Sequence, residues 1–245
     1  MKSNYQNDPF VGLSHRGNSK EFIENSFEAF NSVVQMGFKY IETDLRMTLD
    51  REVITFHDLD LKRLFGIDVK VNDLTFNEIA KLFKEKNCKL LTLEDALKSF
   101  PDTNFNIDLK DNQVTKDSID IVSNLNAFHR VCFASFNSSR TKEVLNFNQN
   151  AFVSMGLKEV AKFKFFKIHN KRIKFLQIPL VWNGIKVVTK NLIKKAHEKG
   201  LFVHVWTIND KKVMNDLINI GVNGIVTDEP QLLMEVMKNK NLISY

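Results

Sequence analysis

The chain has 245 residues, 43% of them hydrophobic, which suffices for one large core, and a modest net charge of +6 at pH 7 that permits an anionic substrate without requiring nucleic acid. Its two cysteines, Cys88 and Cys132, show no CxxC spacing, so they argue against a disulfide framework or a thiolate zinc site and are expected as free core thiols. No stretch approaches the roughly 20 consecutive apolar residues of a membrane span, and the start, MKSNYQNDPFVGLSHRG, lacks the apolar core of a secretory signal, so a cytoplasmic protein is expected.

In chain order, short apolar runs alternate with longer stretches of helical period. Strands are expected at 10–14, 39–45, 104–110, 131–135, 151–155, 174–178, 201–206 and 223–227. Helical patterns fill the gaps at 25–36, near 93–100, and at about 115–126, 138–146, 158–168, 189–199, 210–219 and 231–239. Such alternation implies an α/β protein with a parallel sheet, and at this length a single (β/α)8 TIM-barrel domain over 1–245 is the most economical arrangement, ahead of an open doubly wound sheet.

Local signals mark several boundaries. Asn25 with Glu28 reads as a capping box, Gly37 stops that helix, and Gly200 ends a helix whose last turns carry lysines. The second connection, 46–92, is long and contains an extra apolar run at 52–56, read as a short strand appended to the second barrel strand; this is a short insertion between the second strand and second helix. Residues 158–175 interleave Lys and Arg with Phe163, Phe165, Phe166 and Phe175. A barrel helix with a solvated basic face and a phenylalanine core face is the expected reading, in preference to a membrane-surface patch.

Strand side chains alternate, so Glu42 and Asp44 share a face, as do Asn106, Asp108 and Lys110. In a barrel, inward residues near the carboxyl ends of strands form the active-site floor, where three carboxylates from neighbouring strands could converge. Hard oxygen donors without thiolate suit Mg²⁺ or Ca²⁺ better than zinc. His15-Arg16-Gly17 follows the first strand and His57-Asp58 closes the added run, so both pairs should open onto the same rim. His129, His169 and His197 carry no partner pattern, and His204 is expected in the core.

Taken in order, HRG (15–17), ENS (24–26), ETD (42–44), HD (57–58) with Leu61 and Arg63, LED (93–95), NIDLK (106–110), SF (135–136), WTIN (206–209) and GVNGIVTDEP (221–230) resemble the glycerophosphodiester phosphodiesterase family. The resemblance implies a (β/α)8 barrel that hydrolyses glycerophosphodiesters to glycerol 3-phosphate and an alcohol with one divalent cation. It implies Glu42, Asp44 and Asp108 as metal ligands, His15 and His57 as the acid and base pair, Arg16 and Lys110 on the phosphate, and Trp206 in the substrate-pocket wall. The chain departs from the family pattern with Asp108 where Glu is usual, and with Ser14, Ile23, Arg51 and Asn223 at positions that look structural. Two alternatives to a small soluble substrate are a lysophospholipase D acting at a membrane surface, motivated by 162-KFKFFK-167, and an inactive barrel used as a binding module. Partner expectations are a small-molecule substrate and no nucleic acid; oligomeric state is not legible.

Overall fold

The computed structural model describes Tyr5, Asp8 and residues 10–243, so the outermost ends of the expected 1–245 domain lie outside the described residues. From the first strand the elements run β1 (Val11–His15), α1 (Phe27–Gln35), β2 (Tyr40–Met47), β3 (Val53–Thr55), β4 (Asp60–Leu61), α2 (Lys62–Phe65), β5 (Ile67–Lys70), α3 (Phe76–Glu85) and α4 (Leu93–Ser99). They continue with β6 (Asn104–Leu109), α5 (Gln113–Asn124), β7 (Val131–Ala134), α6 (Ser138–Phe147), β8 (Phe152–Val153), α7 (Leu157–Phe166) and β9 (Phe175–Pro179). The chain finishes with β10 (Val181–Trp182), β11 (Ile185–Lys186), α8 (Lys190–Glu198), β12 (Phe202–Trp206), α9 (Lys211–Asn219), β13 (Gly224–Thr227) and α10 (Pro230–Asn239).

All eight expected barrel strands are present, parallel, and ordered β8-β7-β6-β2-β1-β13-β12-β9. The two ends of that order meet through a parallel bridge between Ser154 and Phe175, where Met155 N donates to Phe175 O at 2.9 Å, and the sheet nearly closes. Helices lie outside, and the main core fills the space between them and the strands with residues such as Phe30, Ile41, Phe105, Phe133 and Ile225. A second cluster fills the barrel interior: Val11, Leu13, Tyr40, Cys132, Phe152, Phe175 and Val226 point inward by strand alternation, with Tyr5 packed among them. Cys88 and Cys132 are free and buried, as expected.

The appended strand is confirmed: β3 pairs antiparallel with the far end of β2, Leu45 opposite Thr55 and Met47 opposite Val53. The rest of that connection folds over its own satellite core, with Ile54, Phe56, Leu61, Val71, Ile79 and Phe83 fully buried. Each such side chain contributes about 1.5–3 kcal/mol of apolar transfer free energy. The capping box of this region belongs to Thr75 and Glu78: Thr75 N donates to Glu78 Oε2 at 2.8 Å while Glu78 N donates to Thr75 Oγ1 at 3.4 Å.

Two expectations are corrected. Asn25 does not cap α1; Ser26 does, its Oγ accepting from Ala29 N at 3.1 Å, while Glu28 accepts from Lys89 N at 2.8 Å. Asn25 is drawn into the left-handed region, φ 60°, by its role at the site described below. The expected phenylalanine core face of 158–175 is also incomplete: Phe163 and Phe175 are buried, whereas Phe165 and Phe166 are 72% and 71% exposed. A short hairpin, β10–β11, which turns through Asn183-Gly184 at positive φ, lies between β9 and α8, where no element was expected.

Candidate active site

Strand register places the site. His15, the last residue of β1, pairs with Glu42, which pairs with Asn106, which pairs with Cys132. One layer toward the barrel mouth, Asp44 pairs with Asp108 and Asp108 with Ala134. Inward-facing side chains of adjacent strands are thus stacked in two layers, with Glu42 deeper than Asp44 and Asp108.

Beyond β1 the chain turns sharply, with Arg16 at φ 60° and Gly17 at φ 80°. A Cβ on Gly17 would stand 2.6 Å from the carbonyl carbon of Ala29, so the HRG glycine is demanded by both conformation and contact with α1. The turn aims the Arg16 guanidinium inward. Its Nε lies 2.9 Å from Asp44 Oδ2, an ion-pair contact without hydrogen-bond alignment, and its Nη1 donates to Glu24 Oε1 at 3.0 Å. Asn25 supports the same group from its left-handed position: its Nδ2 donates to Asp44 Oδ2 at 3.3 Å and its Oδ1 accepts from Thr43 at 2.8 Å.

Lys110, just past β6, places its ammonium 2.8 Å from Asp44 Oδ1 and 2.7 Å from Asp108 Oδ2. Burial alone would raise the Asp44 carboxyl, but Lys110 and Arg16 outweigh it and hold Asp44 well below the usual carboxylate range. Glu42 moves the other way, raised by burial and by the Asp44 charge against the weaker pull of His15, Arg16 and Lys110. Asp108 is also raised, chiefly by burial.

Both imidazoles are anchored through Nδ1 to a carboxylate. His15 Nδ1 meets Asp228 Oδ1 at 2.5 Å, and its Nε2 lies 3.7 Å from Glu42 Oε2. His57 Nδ1 meets Asp58 Oδ1 at 2.6 Å. Burial lowers the affinity of both rings for a proton; in His15 the hydrogen bond to Asp228 and the Glu42 charge reverse the sign, so His15 is raised while His57 is lowered. Asp58 is held by Arg63 Nε at 2.6 Å, and Arg63 also grips Glu24 through two bonds of 2.6 and 2.9 Å. A continuous chain of ion pairs therefore links His57 to Arg16 and Asp44.

All eight residues singled out from the sequence border one cavity of about 550 Å³ at the carboxyl ends of the strands. Its far wall is apolar, built from Phe136, Met155, Val160, Ile178, Trp182 and Trp206. Phe136 packs edge-on against Trp206 with ring centroids 5.8 Å apart, and lies 6.3 Å from Trp182.

The three acids expected as metal ligands share this cavity but not a ready-made point. Among the described residues no three His, Cys, Asp or Glu side chains form a cluster that could hold a metal ion; Glu42 sits a layer deeper and Lys110 occupies the space between the other two. Two observations nonetheless fit a hard dication here. Glu42 Oε2 and Asp108 Oδ1 are buried with no hydrogen-bond partner, and a cationic group already stands between Asp44 and Asp108.

Sequence reasoning assigned no role to Asp228, Asp58, Glu24 or Arg63, although each lies inside a quoted motif. Asp58 was readable as the neighbour of His57; Asp228, distant by 213 residues from His15, was not. His204 is buried as expected, with its Nδ1 3.3 Å from Gln177 Nε2.

Fold and site together define a barrel hydrolase equipped for an anionic phosphoryl ester. Residues 15–232 match the glycerophosphoryl diester phosphodiesterase family, and the chain belongs to that family. Over 238 positions it is 29% identical to the "Probable glycerophosphodiester phosphodiesterase 2" of Mycobacterium tuberculosis, covering 93% of this chain and 90% of that protein. It is 25% identical over 272 positions to lysophospholipase D GDPD1 of Mus musculus, covering 93% and 86%. The crystal structure of the glycerophosphodiester phosphodiesterase from Thermotoga maritima superposes with a TM-score of 0.75 at 25% identity, covering 93% of this chain and 98% of that one.

Proposed function

We propose that the protein hydrolyses glycerophosphodiesters to glycerol 3-phosphate and an alcohol, with His15 and His57 dividing the proton transfers. The supporting observation is the pair of carboxylate-anchored imidazoles, His15–Asp228 and His57–Asp58, opening onto the cavity that also receives Arg16 and Lys110. A phosphodiester resists attack because its anionic oxygens repel nucleophiles, so catalysis must first offset that charge. Arg16 and Lys110 do so by contacting the phosphate oxygens.

One imidazole takes the proton of the attacking hydroxyl as the new P–O bond forms. The other gives a proton to the alcohol oxygen as the old P–O bond breaks. Asp228 and Asp58 fix each ring through Nδ1 and leave Nε2 for this exchange. Glu42, Asp44 and Asp108 would hold one divalent cation, Mg²⁺ or Ca²⁺, which when bound supplies further positive charge to a phosphoryl oxygen. Trp206 and the apolar wall exclude water from the side of the cavity that receives the leaving alcohol.

A second reading keeps the chemistry and enlarges the alcohol. The apolar wall of Phe136, Met155, Val160, Ile178 and Trp182 exceeds what choline or ethanolamine needs, and favours a lysophospholipid whose acyl chain lies along it. Release of glycerol 3-phosphate from glycerophosphocholine, measured beside release of choline from lysophosphatidylcholine, separates the two. Cleavage of the lipid alone discards the first reading, cleavage of neither discards both, and activity untouched by EDTA discards the cation.

A further inference from the structure

Residues 157–190 carry nine Lys and Arg and one acid, Glu159. Three of the nine, Lys171, Arg172 and Lys174, face a separate hollow beside Gln149–Phe152 at the amino ends of β8 and β9; the other six, less Glu159, leave +5 on residues 157–167 and 181–190. Glu159 is itself engaged by the Ser138 hydroxyl. The same segment holds seven of the eleven large hydrophobic residues that are exposed among the described residues, including Phe165, Phe166 and Ile168 after 66–72% exposure, and Val181, Trp182 and Ile185 at 42–61%. Isolated exposed apolar residues are ordinary on a soluble protein, but Leu157, Phe165, Trp182 and Ile185 border one cavity, and such a grouping beside lysines marks a binding surface.

The group is gathered by the fold. One face of α7, Leu157, Val160, Ala161, Lys164 and Phe165 at helical spacing, borders the catalytic cavity; Trp182 and Ile185, cross-strand partners in the hairpin, border it too. The end of α7 and the β10–β11 hairpin therefore stand together at the cavity mouth. Away from the cavity, α7 exposes Lys158, Lys162 and Phe166, and the hairpin exposes Val181 opposite Lys186. Phe136 joins Trp182 at this rim to Trp206 inside.

Aromatic and branched side chains ringed by lysines match the chemistry of a bilayer interface: the apolar groups enter the headgroup and acyl boundary, and the ammonium groups remain level with lipid phosphates. A nucleic acid would satisfy the lysines but leave Ile168, Val181 and Ile185 without a counterpart. We propose that the end of α7 and the β10–β11 hairpin form a docking surface for an anionic phospholipid bilayer, seating the cavity mouth on the headgroups. The proposal goes beyond the diesterase reading, and vesicle binding is measured without turnover, so either can fail alone.

The full chain is sedimented with phosphatidylcholine vesicles and with vesicles in which roughly a third of the lipid is phosphatidylglycerol. Binding to the anionic vesicles only is expected, weakening as salt rises from about 0.1 to 0.5 M. Phe166→Ser with Ile168→Ser, neither of which borders the cavity, should lower partitioning on the order of tenfold while hydrolysis of glycerophosphocholine is unchanged. Lys162→Gln with Lys186→Gln should lower it roughly 25-fold, at about fivefold for each basic residue near the surface. Equal binding to neutral vesicles, no binding to either, or unaltered binding by both double variants overturns the proposal. So does a wild-type dimer in analytical ultracentrifugation that Phe166→Ser with Ile168→Ser dissociates in the absence of vesicle binding, because the occupant is then a second copy of the chain.

Discussion

His204 should make the protein acid-labile well above the pH at which carboxylates protonate. The ring is buried inside the barrel, its centroid 5.2 Å from that of Phe175, and among the described residues its Nδ1 faces Gln177 Nε2, a donor that suits an unprotonated nitrogen. Burial pushes its pKa down to about 3. Because the folded value is depressed below the ordinary 6.5, the unfolded chain binds the extra proton first; the stability this group contributes is fully present above pH 6.5 and is lost as the pH falls toward 3. At about 1.36 kcal/mol per pH unit, moving from pH 7 to pH 5 removes about 2 kcal/mol. For a chain of this size that is about 4–8 °C in Tm. His204→Asn keeps an acceptor near Gln177 and removes the titration, so it lowers stability at pH 7 but flattens the acid limb. Calorimetric melts of both proteins at intervals from pH 7 to 5 should show their Tm difference narrowing by that amount. Parallel Tm curves, or an NMR titration of folded His204 near 6.5, would refute the reasoning.

Lys110→Met leaves Asp44 and Asp108 without their shared cation and should cost about 3–5 kcal/mol in urea unfolding and abolish turnover, with added Mg²⁺ or Ca²⁺ recovering part of the stability but not the activity. Asp228→Asn and Asp58→Asn each release one imidazole, and steady-state kinetics should show kcat falling about 10- to 100-fold with KM nearly constant. Gly17→Ala should lower stability by about 2–4 kcal/mol, read as a shift in denaturation midpoint, since the new methyl meets the α1 backbone at 2.6 Å in a conformation that already disfavours a side chain. Raising divalent cation concentration should raise the Tm of the wild type, and Glu42→Gln or Asp108→Asn should reduce that rise.

The barrel was legible because its strands are short apolar runs separated by helices of clear period, so each of the eight expected strands lies within a residue or two of its place. Segments whose structure depends on tertiary choice were not. Asn25 looked like a helix cap because its amide can accept a backbone hydrogen bond, but the competing bonds to Asp44 and Thr43 draw it into the site and leave Ser26 to cap. Residues 158–168 looked like an ordinary barrel helix because period alone cannot tell a core face from a cavity-bordering one. The hairpin carried a readable signal, Asn183-Gly184 between apolar residues, that the strand before it obscured. At the site, strand alternation correctly paired Glu42 with Asp44 and Asp108 with Lys110. The acids that orient the histidines could not be matched to them, since the contact between Asp228 and His15 exists only once β13 lies beside β1.

The two imidazoles rest on different supports. His15 ends a central barrel strand, whereas His57 follows β3, tethered by Arg46 Nε to its carbonyl at 3.1 Å and backed by the satellite core around Phe56, Ile79 and Phe83. That annex should open without the cylinder coming apart, because its buried apolar groups form a cluster separate from the main core. Inactivation on warming should accordingly run ahead of global melting, and shaving a methylene from Ile79 should dull the enzyme while leaving most of the protein's heat resistance intact.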